Sequence, residues 1–155
     1  MTYEEVSNSL NAAIMQLSPC ELPQFLADHA ADFSPRPFTD YMRMKFNEKD
    51  IAQQDVFLAA DLNERVGYKL ISGEKRTRQR DTILRICLAA KFSPEEVQEA
   101  LILYGMPPLH GRFPRDAAFL VAFRSRIYDI HDVDAILREN SLPPFLTPDQ
   151  ISDSI

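Results

Sequence analysis

Residues Ile51 to Lys75 read IAQQDVFLAADLNERVGYKLISGEK, and this stretch decides the fold. Its apolar positions recur at helical spacing on both sides of a short break, which predicts two helices, Ala52–Ala60 and Asn63–Ile71. The break at Asp61-Leu62 needs a small residue where the helices touch and a residue that tolerates left-handed backbone; Ala60 and Asp61 meet those needs. Gly73 stands just past the second helix, where a left-handed residue ends a helix with least steric cost.

Working outward, no proline occurs between Pro37 and Pro94, which leaves room for several uninterrupted helices. Phe38–Glu48 places Phe38, Tyr41, Met42 and Phe46 on one face, and Arg80–Ala90 does the same with Ile83, Leu84, Cys87 and Leu88. Ser93-Pro94-Glu95-Glu96 combines an N-cap, a first-turn proline and a glutamate three residues on, so it opens a helix over Ser93–Tyr104. Toward the N-terminus, Tyr3, Val6, Leu10, Ala13, Ile14 and Leu17 predict a helix over Tyr3–Leu17, and a shorter one covers Leu22–Asp32. The apolar stripe of the first is expected to pack on the core, with dimerisation as the alternative.

The C-terminal half carries an internal repeat. Arg80-Asp81 followed by Ile83, Leu84, Cys87 and Leu88 matches Arg115-Asp116 followed by Ala118, Phe119, Ala122 and Phe123 at an offset of 35. Glu96-Val97, Leu101 and Pro107-Pro108 match Asp132-Val133, Leu137 and Pro143-Pro144 at an offset of 36. Both units read helix, helix, Pro-Pro stop, and the change of offset implies one inserted residue between the helices of the second. Two copies fall short of a solenoid, so the expectation is two helical hairpins in one core, with Val97, Val133, Leu101 and Leu137 buried. The aspartates suit the positive ends of their helices, and the arginines are expected to pair across the repeat.

The stretch Ile51–Lys75 resembles the lambda-repressor-like (Xre-type) helix-turn-helix family, without a gap. Gln53 stands where that family opens its first motif helix with glutamine. Ala60 is the small contact residue, Leu62 the apolar plug after the turn, and Gly73 closes the recognition helix. With the flanking helices, the resemblance covers residues 38–104. It implies that the second motif helix enters a major groove with Asn63, Glu64, Arg65, Tyr68 and Lys69 outward. Arg65 would then read guanine, Asn63 adenine and Glu64 cytosine. The resemblance also counts Gln53 among the DNA-binding residues, and the basic run with Lys75, Arg76 and Arg78 would lie at the phosphates. Four positions depart from the pattern: Asp61 at the turn glycine, Gly67 inside the recognition helix at ~1 kcal/mol relative to alanine, Leu58 at a commonly basic site, and the aromatic Tyr68.

Charge bears on this reading. The chain is acidic, with a net charge of −6, divided as −4 over residues 1–37, +3 over 38–91 and −5 over 92–155. A polyanion would therefore meet the middle third. No apolar run is long enough for a membrane span, and the acidic N-terminus is unlike a secretory signal. Cys20 and Cys87 share no motif and are expected to be buried thiols in a reducing cytosol. His29, His110 and His131 are scattered, and no phosphate loop or nucleophile motif occurs.

The expectation is an all-α, cytoplasmic, non-enzymatic protein without metal or cofactor. An N-terminal helical segment (1–37) precedes a helix-turn-helix five-helix core (38–104), with a second helical hairpin and short tail (105–155) packed on it. Its function is expected to be transcription regulation by binding double-stranded DNA, as a homodimer because one motif contacts only a half-site. The alternative is a protein-interaction adaptor on the same scaffold, which requires an exposed apolar patch and a protein partner.

Overall fold

Helical periodicity and proline spacing are realised throughout the computed structural model, which describes Thr2 to Phe145. The tail expected after Phe145, with its break at Pro148, lies outside the described residues. The α-helices are α1 (Tyr3–Ile14), α2 (Leu22–Asp28), α3 (Pro37–Glu48), α4 (Gln53–Ala59), α5 (Glu64–Ser72), α6 (Arg80–Ala89), α7 (Pro94–Tyr104), α8 (Pro114–Arg124) and α9 (Ile130–Glu139). Two 3-10 turns, Pro19–Glu21 and Ala30–Asp32, complete the order, and no strand occurs among the described residues. None of these helices is long and apolar enough to cross a membrane.

Met1–Pro35 and Arg36–Ile155 are separate compact units. In the first, Thr2 and Glu5 form a capping box that starts α1: Thr2 Oγ1 accepts from the Glu5 N–H and Glu5 Oε2 from the Thr2 N–H. No residue of α1 is buried. Cys20 is exposed, correcting the expectation of a buried thiol; it follows Pro19 in a single 3-10 turn that has no inner face. Cys87, on α6, is buried, and burial pushes its thiol well above the ordinary range.

In the second unit one turn recurs. After α3, α4, α6, α8 and α9 the chain places Asp50, Asp61, Lys91, Arg126 and Ser141 in the left-handed region, and Gly105 does the same after α7. In each case the next residue is apolar and donates its N–H to a carbonyl five residues back. Ile51 bonds to Phe46, Leu62 to Phe57, Phe92 to Cys87, Met106 to Leu101, Ile127 to Ala122 and Leu142 to Leu137, all at 2.8–3.0 Å. This is the Schellman ending, which satisfies a terminal carbonyl and folds an apolar plug under the helix.

The repeat is present in its contacts. Val97, Leu101, Val133 and Leu137 are all buried, as expected. The inserted residue is Tyr128: Lys91-Phe92 leads directly to the Ser93 cap, whereas Arg126-Ile127 is followed by Tyr128 before the Asp129 cap. Arg80 binds Asp116, and Arg115 returns the pair with a two-pronged contact to Asp81 at 2.6 and 2.8 Å. Each arginine also caps the proline stop of its own hairpin, Arg80 at the Pro107 carbonyl and Arg115 at Pro143. Gln98 accepts from the Leu109 N–H, and its counterpart Asp134 accepts from that of Phe145. Helices α6, α7, α8 and α9 pack in a ring, each on the next and α9 back on α6. The two hairpins thus exchange contacts as across a twofold axis.

Helices α3, α4 and α5 lean on the α6–α7 side of that ring: α3 on α7 and α5, α4 on α5 and α6. The seam between α3 and α7 contains a charge cluster. Lys45 reaches Glu96 at 3.0 Å and Lys49 reaches it at 2.9 Å, while the Ser93 N–H donates to it at 2.8 Å. Burial by itself would raise the Glu96 pKa, but the hydrogen bonds from Lys49, Ser93 and Lys45 outweigh it and hold the group below its ordinary 4.5. A depressed folded-state pKa contributes stability that is present above the unfolded value and lost as pH falls through the folded one. Glu96→Gln is therefore expected to lower stability by on the order of 2 kcal/mol at neutral pH. It should also flatten the loss of stability on acidification below about pH 4.5, checked by urea unfolding across that range.

Candidate nucleic-acid interface

The interface expected from the sequence lies on α4, α5 and the loop that follows. Ala60-Asp61-Leu62-Asn63 joins the two helices, with Asp61 left-handed and Leu62 buried beneath the turn. Asn63 caps α5: its Oδ1 accepts from the N–H groups of Arg65 and Val66 at 3.0 and 3.3 Å. That oxygen is committed to the helix start, so the adenine-reading role expected for Asn63 does not fit its position.

Gly67 has a packing reason. A Cβ at this position would stand 2.4–2.7 Å from three ring atoms of Phe57, which is wholly buried. The helices cross too closely for any side chain, and the helix-propensity cost noted in the sequence is offset by the burial of Phe57. Tyr68 then lays its ring edge-on against Phe57, with 5.0 Å between centroids, while 42% of its surface stays exposed. With Gly67, Leu70 and Ile71 turned inward, Glu64 and Arg65 are left exposed on the other side of α5. Gln53 is half-buried in the first turn of α4, and Leu58, at 80% exposure, projects into solvent.

The basic loop divides into engaged and unengaged cations. The Arg76 guanidinium donates to the Tyr104 carbonyl and stacks on the Tyr104 ring at 4.3 Å. The neighbouring Thr77 N–H donates to the Tyr104 hydroxyl at 2.7 Å. Arg76 therefore fastens the loop to the end of α7, a role that sequence reasoning missed because Tyr104 is 28 residues away. Lys69 is half-buried and lies 4.0 Å from Glu74. Arg65, Lys75 and Arg78 are exposed, and their side chains make no hydrogen bond or ion pair among the described residues. Residues 53–78 carry five bases and four acids, so their field is only weakly positive and depends on those three side chains.

A further polar hollow at the other turns gathers Lys49, Lys91, Arg126 and Tyr128, but Glu96 also lines it and pairs with Lys49. Among the described residues no group of His, Cys, Asp and Glu side chains could hold a metal ion.

The chain matches no family model, no curated protein and no solved structure. The lambda-repressor-like resemblance accordingly rests on its own residues, and the turn at its centre is one that this fold uses repeatedly.

Proposed function

We propose that the protein is a non-enzymatic DNA-binding regulator that lays α5 against a duplex, with the following loop on the phosphates. The observation that supports this reading is the exposure of the Arg65, Lys75 and Arg78 side chains, unpaired among the described residues, beside a helix whose apolar side is buried. A guanidinium on the outer side of such a helix can read a base edge, and cations in the adjoining loop can neutralise phosphates.

The test is a duplex-binding titration at two salt concentrations. Lys75→Ala with Arg78→Ala should weaken binding to every sequence and lower the salt slope by about 0.9 per lost phosphate contact. Arg65→Ala should reduce preference among sequences by about 1–3 kcal/mol. Arg76→Ala should leave the salt slope unchanged and lower the melting temperature, because its guanidinium is held by Tyr104. Absence of binding at low salt would overturn the reading, since non-specific association is strongest there.

A second reading, a protein-interaction adaptor, is favoured by the 80% exposure of Leu58 on α4 and the 42% exposure of Tyr68 on α5. Loss of a protein partner on Leu58→Asp, with the three cations intact, would select it.

A further inference from the structure

The outer faces of the two matching hairpins differ. On α6, Thr82, Ile83 and Ile86 are fully buried, as is Ala100 on α7. Helix α3 packs on α7 and α4 on α6, and Phe38 of α3 meets Tyr104 edge-on with 4.7 Å between ring centres. The counterparts on the second hairpin are Ala117, Ala118 and Val121 of α8 and Ile136 of α9, and they line an open apolar groove of about 460 Å³. Where Tyr104 receives Phe38, the groove has Asn140, whose amide is turned onto the Ile136 carbonyl at 2.8 Å. Val121 is 57% exposed, and Phe113, at the start of α8, is 62% exposed.

The composition of α8 does not fit a peripheral helix. Ala117 to Phe123 are seven consecutive apolar residues, almost two full turns, so α8 is apolar on every side. Such a helix belongs in the middle of a bundle. Among the described residues it packs mainly on α7 and α9. Its small residues Ala117 and Ala118 would let another helix approach closely, and Val121 would act as a knob beside them.

The rim suggests which helix. Arg124 follows Val121 by three residues and Glu139 follows Ile136 by three, so both continue the groove side of their helices. Because α8 and α9 form a hairpin, Arg124 lies at one end of the face and Glu139 at the other. Both are exposed and make no ion pair among the described residues. A twofold axis through the face brings each arginine over the glutamate of the other copy, twice, as an isologous contact requires.

We propose that the α8–α9 face joins two copies of this chain, with α8 packed antiparallel on its mate at the centre of a four-helix contact. This surface is separate from α5 and does not depend on what α5 binds. Sedimentation equilibrium of the full chain should give the mass of a dimer at high concentration and a monomer on dilution. Val121→Arg should leave a monomer with unchanged helical signal and cooperative melting. Arg124→Glu, which leaves the groove intact, should weaken association on the order of tenfold, and adding Glu139→Arg should restore it. A wild-type chain that stays monomeric, a dimer indifferent to Val121→Arg, or a charge swap that fails to restore association would each overturn the proposal.

Discussion

Asp116→Ala is expected to lower the free energy of unfolding by about 3–4 kcal/mol. Asp116 is 3% exposed, and its two oxygens serve different elements. Oδ1 receives the Arg80 guanidinium from the first hairpin, and Oδ2 accepts the His110 N–H at 3.0 Å. Its removal leaves a cation without its charge partner and a loop N–H without its acceptor, and both losses fall on the junction between hairpins. Arg80 keeps 26% of its side-chain surface in solvent and can turn partly outward, which places the value at the lower end for a broken buried pair. Asp116→Asn should cost about half as much, because the amide oxygen can still accept from His110. Urea unfolding measures both. A double-mutant cycle with Arg80→Ala should show strong non-additivity, and additive losses would mean that the two residues do not act as a pair.

Gly67→Ala is expected to be destabilising by about 3 kcal/mol, in the direction opposite to helix propensity. On an isolated helix the substitution would be worth about 1 kcal/mol of stabilisation. Here the added carbon would overlap the Phe57 ring, and Phe57 is sealed beneath α5 with no exposed surface from which to yield. The strain should be relieved by removing its cause: in the background of Phe57→Leu, the same Gly67→Ala change should cost much less. A stabilised Gly67→Ala protein would show that the α4–α5 crossing is looser than described.

The two predictions separate what was legible in the chain from what was not. The Arg-Asp pairs were legible, because the same dipeptide opens two similar hairpins and a repeated ion pair has an evident partner in the other copy. The inserted residue at Tyr128 could be anticipated from the change of offset between matched positions. Gly67 shows in the sequence only as a helix-propensity cost, since the need for a bare backbone is set by Phe57, ten residues earlier. The fates of Asn63 and Arg76 were equally hidden. An Asn before a helix is both a cap and a candidate reader, and a cation in a basic run looks the same whether it faces solvent or Tyr104.

Taken alone, the sequence determined that the described chain is helical, where most of its helices begin, and that its last two hairpins match; α1 stops at Ile14 rather than Leu17, and α2 at Asp28 rather than Asp32. Those properties follow from local rules: the spacing of apolar residues, the exclusion of proline from helix interiors and the capping chemistry of Ser93. The tertiary structure alone decided which cations remain available, why a glycine stands in α5, and that one hairpin has its outer face covered by α3 and α4 while its twin has an open groove. These depend on which distant side chain arrives at a given surface, and that is a property of packing between elements that no local pattern records.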